Sequence, residues 1–421
     1  MGTTARLRRL AVYDALALTA LVWFLAKFLR YVLPPLFATA SFRAEFGVSN
    51  AVLGAAYTAM MVVYALMQFP SGALADRLGA TRVVVGGALV AAGGALVLAV
   101  PVPGDVPVAL PALGGASAGF LLLVAGLLLV GLGTGAHKTA AVRLLSRTYP
   151  ARTGRALGVL DTVGALSGVA AGAAVVFFAD VADWHALYLA AGVAGIGLAV
   201  AVALRVPRRV PDVDREAGSG GGESGGAGVR TYLALFGRPR FAAFVGVTLC
   251  VAFAYNGAVA FLPLYLTEQA GLAPATASFL YSVLFAVSFV QLVTGDLSDR
   301  VGRLSVLGGT TALAAVGLVA LLAVGTAGPV VLGATIVAFG AGGHGYRPVR
   351  AAYLTEVIPD DLAGGGLGVV RTVLMIAGAV APAVVGAVAD ATDFGVAFAV
   401  LAAAMVGAVA LTALTAVLDG E

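Results

Sequence analysis

Lys27 and Arg30 interrupt the apolar stretch WFLAKFLRYVLPP, residues 23–35. At spacing i, i+3 both cations fall on one face of a helix. A charge at the centre of a bilayer costs roughly 2.5–3.5 kcal/mol on insertion scales, so it faces a cavity or a partner unless it snorkels to the interface. Arg30 precedes VLPPLF and is still about 10 Å of helix from the outer end of the run; Lys27 is deeper. A further cation, Lys138, follows His137 in a second apolar run, five residues before Arg143. Basic side chains in a low-dielectric cavity are offset by an anionic ligand, and a guanidinium grips carboxylate or phosphate through paired hydrogen bonds. The chemistry indicated is recognition of an organic anion.

Other polar residues in apolar runs extend the candidate site. Tyr255 and Asn256 share one run, and His344, Tyr346 and Arg347 share another. Asn256 is suited to a hydrogen bond with substrate or with a neighbouring helix. His137 and His344 are candidates for protonation near neutral pH, or for a structural hydrogen bond. Asp161, in GVLDTVGALSG, is the candidate proton site. A buried carboxylate partly relieved of its counter-charge takes up a proton more readily. The single cysteine, Cys250, excludes an internal disulfide framework or a cysteine zinc site. No GxSxG, HExxH or Walker-type loop occurs. The sequence therefore indicates no catalytic residues, no metal and no cofactor, and so not an enzyme.

The elements that must position these residues are membrane helices. Of 421 residues, 61% are hydrophobic and 11% charged, against about 25% charged in soluble domains; mean hydropathy is +1.02. About 20 apolar residues span a bilayer as a helix. Twelve spans are expected, near 11–37, 50–74, 81–101, 117–145, 154–179, 185–206, 241–267, 275–297, 305–326, 329–355, 365–389 and 394–417. Gly164, Gly168 and Gly172 in span 5 form a small-residue packing surface. The net charge of +4 does not point to nucleic acid, because the arginines cluster in alternate loops. That bias predicts a multi-pass protein of the cell membrane with both termini cytoplasmic. Residues 207–240 open with a Gly/Ser-rich polar linker, dividing an N-terminal bundle (1–206) from a C-terminal bundle (241–421).

The two halves repeat. GALADRLGATR (72–82) follows span 2 and GDLSDRVGRLS (295–305) follows span 8; GAHKTAAVR (135–143) parallels GGHGYRPVR (342–350); GVLDTVGALSG (158–168) parallels GVVRTVLMIAG (368–378), with Asp161 where the second copy has Arg371. Parallel repeats of this kind are found in transporters with a midplane site. The paired Gly-x3-Asp-Arg-x-Gly loops resemble the signature of the major facilitator superfamily, across essentially the full chain. The second loop departs modestly, having Arg303 without a second basic partner.

The resemblance implies an all-α integral membrane fold with twelve transmembrane helices in two pseudo-symmetric six-helix bundles. It implies that spans 1, 4, 7 and 10 line a central cavity. It also implies a conformational role for the loop residues Gly72, Asp76, Arg77, Gly79 and Arg82, and Gly295, Asp299, Arg300, Gly302 and Arg303. Asp76 would latch onto the positive N-terminus of span 11 and Asp299 onto that of span 5. Separately, the equivalent places of Asp161 and Arg371 in the repeat suggest a conformational salt-bridge network with the loop arginines. The first span and loop are similar to the anion:cation symporter and organophosphate:phosphate antiporter (sugar phosphate permease-like) branches. The expected function is secondary transport of a small anionic molecule, a carboxylate or organophosphate, by alternating access across the lipid bilayer, with a proton or sodium as coupling ion or by exchange. Two alternatives are a proton-coupled exporter of drugs or hydrophobic cations and a non-transporting anion sensor.

Overall fold

The computed structural model describes residues 13–101, 107–110, 114–209, 236–358 and 363–419. The apolar runs are helices, since a helix satisfies its own backbone where lipid offers no hydrogen bonds. The first run is α1 (Asp14–Tyr31), followed by a short turn of helix, α2 (Leu33–Phe37). The break precedes Pro34 and Pro35, which cannot donate to a preceding turn. A peripheral helix, α3 (Ala40–Phe46), ends on Gly47 at φ +58°. Then come α4 (Asn50–Leu78), α5 (Ala80–Leu98), α6 (Ala118–Thr148), α7 (Thr153–Val181) and α8 (Trp184–Arg209). The second half is α9 (Pro239–Glu268), α10 (Pro274–Ala286), α11 (Val290–Val301), α12 (Arg303–Val324), α13 (Pro329–Val357), α14 (Ala363–Ala391) and α15 (Phe394–Asp419).

Eleven helical segments among the described residues are long and apolar enough to cross a membrane. The remaining expected span, α13, has the length, 29 residues. Its hydropathy is diluted by glycines and by His344, Tyr346 and Arg347. Two features were not expected. The break between α5 and α6 holds an antiparallel hairpin, β1 (Pro107–Leu110) with β2 (Gly114–Ser117). The eighth span is not continuous, because a 3-10 turn at Val287–Phe289 separates α10 from α11. Most of the expected linker, residues 210–235, lies outside the described residues.

The chain forms two compact units, residues 1–47 with 59–222 and residues 48–58 with 223–421. In the first, α5 and α6 meet backbone to backbone: a Cβ on Gly133 would come within 2.3 Å of the Ala91 nitrogen. In the second, α12 and α13 do the same, with a Cβ on Gly342 reaching 2.4 Å from the Ala314 nitrogen. The N-terminal end of α4 belongs to the second unit. There the Asp390 carboxylate accepts from the N–H groups of Asn50 (3.0 Å) and Ala51 (2.7 Å), and Ala383 N–H donates to the Thr58 hydroxyl at 3.0 Å. Both signature loops turn on their final glycine. Gly79 has φ +91° and ψ +142°, and Gly302 φ +93° and ψ +140°, a region open essentially to glycine alone.

Candidate substrate-binding site

Three helices of the first unit converge on Trp23. α1 presents Trp23, Lys27 and Arg30 at i, i+4 and i+7, one face of the helix. α6 adds His137 and Lys138, and α7 adds Asp161 and Gly164. The Trp23 ring centroid lies 5.4 Å from Lys27 Nζ, 5.1 Å from Lys138 Nζ and 5.9 Å from Arg30 Cζ. A cation within about 6 Å of an aromatic face is attracted by its quadrupole, by roughly 0.5–2 kcal/mol depending on desolvation. The indole thus gathers the three cations that the sequence placed on two separate spans. Gly164 admits the ring: a Cβ there would stand 2.5 Å from the Trp23 ring and 3.2 Å from Lys27 Cδ.

Arg30 is the most enclosed of the three cations, 4% exposed. Its Nε donates to the Ala26 carbonyl at 3.3 Å, and its guanidinium carbon lies 3.9 Å from the Tyr64 ring centroid. No carboxylate lies within ion-pair distance of it among the described residues. Lys138 is ion-paired with Asp161, whose side chain is 60% exposed. In this arrangement Asp161 is neither enclosed nor relieved of counter-charge. Its partner is Lys138, not a loop arginine.

His137 is also placed differently from expectation. It is buried, 1% exposed, and stacks on Trp23 at 5.6 Å between centroids. Among the described residues neither ring nitrogen meets strict hydrogen-bond geometry, and the Thr19 backbone is a polar group beside the ring. It packs against the indole and lines a small cavity with Leu25, Ala26 and Thr134. Trp23 and Tyr64 were not singled out from sequence. The available signal was the i, i+4, i+7 register of Trp23 with Lys27 and Arg30. The resulting site has three cations, one carboxylate and aromatic walls, chemistry suited to an organic anion.

The second unit holds a smaller cluster. The Tyr255 hydroxyl and His344 Nε2 are 3.0 Å apart, and Nε2 is 3.1 Å from the Leu284 carbonyl. Arg347 lies over the Tyr255 ring, 4.6 Å from its centroid. Tyr346 is hydrogen-bonded to Thr248 at 3.1 Å. Tyr255, His344 and Arg347 are therefore together. Asn256 is apart from them, donating to its own helix at Ala252 (2.8 Å) and seated against Gly378.

The signature loops pair locally and unequally. Asp76 is ion-paired with Arg143 of α6. Arg77 is exposed, and Arg82 donates to the Leu78 carbonyl at 3.2 Å. In the second copy Asp299 is exposed, Arg300 pairs with Asp296 at 2.7 Å and Arg303 with Glu356 at 2.6 Å. Gly72 and Gly295 make only ordinary contacts, with Thr139 and Pro348. Arg371 is exposed on α14, within electrostatic reach of Arg350. Residues 359–362, just before α14, and the side chains of its first turns lie outside the described residues, and with them the expected partner of Asp76.

The family model of the Major Facilitator Superfamily matches residues 19–342 and 284–420. The chain belongs to the Major Facilitator Superfamily. Solved structures agree at low identity. A bacterial homologue of the human lysosomal transporter Spinster, inward-facing and unoccupied, is 16% identical at TM-score 0.71, covering 97% of this chain and 96% of that one. A POT family transporter in complex with 5-aminolevulinic acid gives 14% and 0.74 over 96% and 95%. A D-xylose–proton symporter gives 14% and 0.73 over 95% and 97%. No curated protein matches the chain. This superfamily member is a multi-pass membrane transporter of the secondary type, not an enzyme.

Proposed function

We propose that this transporter carries a small organic anion, a carboxylate or organophosphate, by alternating access, with substrate held by Arg30, Lys27 and Lys138 against Trp23. The observation that carries the reading is Arg30, buried and stacked on Tyr64 without a carboxylate partner among the described residues. A desolvated guanidinium retains strong donors suited to carboxylate or phosphate. Such a cluster is poorly matched to a hydrophobic cation. The resemblance of the first span to anion-transporting branches of the superfamily points the same way. Lys138 would exchange Asp161 for the substrate anion, releasing a carboxylate that a coupling proton or sodium can neutralise. Tyr255, His344, Arg347 and Asn256 are the candidate substrate contacts of the second unit. The loop residues about Asp76 and Asp299, with Arg371, are the conformational elements. Two six-helix bundles joined across 207–240, both termini cytoplasmic in the plasma membrane, complete the arrangement, by the arginine bias of the loops.

The test is counterflow in liposomes of the purified full chain, with labelled carboxylates, sugar phosphates, inorganic anions and lipophilic cations. Arg30→Ala and Arg30→Lys are run beside the wild type. Anion exchange should be abolished in the alanine variant and strongly reduced in the lysine variant, which keeps the charge but not the planar fork. Cation flux unaffected by Arg30→Ala would overturn the proposal in favour of export, and anion binding without flux would indicate a sensor.

A further inference from the structure

A cavity of about 300 Å³ opens at the arginine-rich end of the first unit, between α1 and the start of α7. Tyr13 and Tyr149 stack there, 6.5 Å between centroids with planes 14° apart, and Arg152 Nη1 is 3.5 Å from the Tyr13 hydroxyl. Arg155 completes the polar rim, while Leu16 and Val159 form an apolar wall. Both arginines are exposed, and neither has a carboxylate within ion-pair distance among the described residues. Asp14, which follows Tyr13 at the start of α1, is engaged by Arg205 at 3.7 Å.

The apolar wall continues along α7. Val159 and Leu166 are seven residues apart, 39% and 40% exposed, with partly buried Val163 between them. At about 100° per residue these three share one face, roughly opposite the face of Asp161 and Gly164 that meets the basic cluster. The groove opens on the side of α7 away from Asp161 and Gly164, while Leu16, Tyr149 and Val163 also pack against the buried cluster that contains Trp23. It combines two arginines, two tyrosine hydroxyls and an exposed aliphatic track that runs along the helix from the membrane face towards the bilayer interior.

We propose that this groove binds the headgroup of an anionic phospholipid, its phosphate on Arg152 and Arg155 and an acyl chain along Val159, Val163 and Leu166. Basic pockets between spans at the cytoplasmic face are suited to such headgroups. Arginine matches a phosphodiester bidentately, and tyrosines favour the headgroup level. A free phosphate would engage the arginines but gain nothing from the aliphatic track, so the paired chemistry selects a lipid.

The test uses the delipidated full chain in neutral detergent. Thermal unfolding is followed during titration with dioctanoyl phosphatidylglycerol, dioctanoyl phosphatidylcholine or soluble glycerol phosphate. Phosphatidylglycerol should stabilise the wild type saturably, and the other two should not match it. The double variant Arg152→Gln/Arg155→Gln should bind phosphatidylglycerol about thirtyfold more weakly. The single variant Arg155→Gln, at an exposed position, should show part of that loss and guards against misfolding of the double variant. An unchanged phosphatidylglycerol response in both variants would overturn the proposal. So would glycerol phosphate equal to the lipid in effect, which would mark a free-anion site.

Discussion

Gly164→Ala tests whether the site is built around the indole. The new Cβ would stand 2.5 Å from Trp23 Cδ1 and Nε1. An ordinary carbon contact is about 3.5–4.0 Å, so the ring must retreat by about 1–1.5 Å. Buried Ala141, Leu145 and Leu160 pack in the same cluster, and His137 stacks on the ring. Overpacking of this kind costs about 1–3 kcal/mol. Alanine also gains about 0.8–1 kcal/mol over glycine as a helix former. Gly158→Ala on the same helix isolates that gain, because its Cβ would meet nothing within 4 Å. Propensity cancels between the two variants, leaving Gly164→Ala less stable than Gly158→Ala by about 1–3 kcal/mol. Unfolding midpoints in detergent measure the difference. Trp23 and Trp184 are the only tryptophans, so a Trp184→Phe background reports Trp23 emission alone. Displacement of the ring should change that emission and lower anion counterflow in Gly164→Ala but not in Gly158→Ala. Equal midpoints with unaltered emission would refute the seating of Trp23 on Gly164.

Three further outcomes follow from local geometry. Asp390→Ala removes the acceptor of two N–H groups at the start of α4 and should cost about 0.5–2 kcal/mol, as loss of an N-cap does; Asp390→Asn should fall between, by thermal unfolding. Tyr346→Phe breaks its bond to Thr248, but that hydroxyl still donates to the Phe244 carbonyl at 3.0 Å, so the loss should be about 1 kcal/mol. Thr248→Val strands the buried Tyr346 hydroxyl and should be the worse variant of the two, by about 1–3 kcal/mol in total. Gly79→Ala and Gly302→Ala force alanine into matching positive-φ conformations and should destabilise similarly, by roughly 1–3 kcal/mol. Gly308→Ala, with open space around its Cβ, should not destabilise.

The Gly-x3-Asp-Arg-x-Gly loops read as equivalent, yet among the described residues Asp76 pairs with Arg143 of α6 while Asp299 shows no ion pair. The second copy differs in that Arg303 and Glu356, which occupy the places of Ala80 and Tyr149 in the first, pair with each other at 2.6 Å. This asymmetry was present in the residues, but nothing in their spacing announced that they meet.

Membrane class, the number and extent of the spans, the duplication and the family were determined by the sequence itself. Apolar run length, glycine turns and arginine-rich loops act locally, through the cost of unpaired backbone in lipid and the need for φ above zero. Lys27 and Arg30 were likewise tied to one helix face by their spacing. Only the tertiary structure decided which cation faces which group. Lys138 and Asp161 are 23 residues apart and pair across two helices; Arg30 stacks on Tyr64 of a third; His137 turns inward behind Trp23. Those outcomes depend on how glycine faces let helices approach. That approach is a property of two surfaces packed together, which the periodicity of either one does not contain.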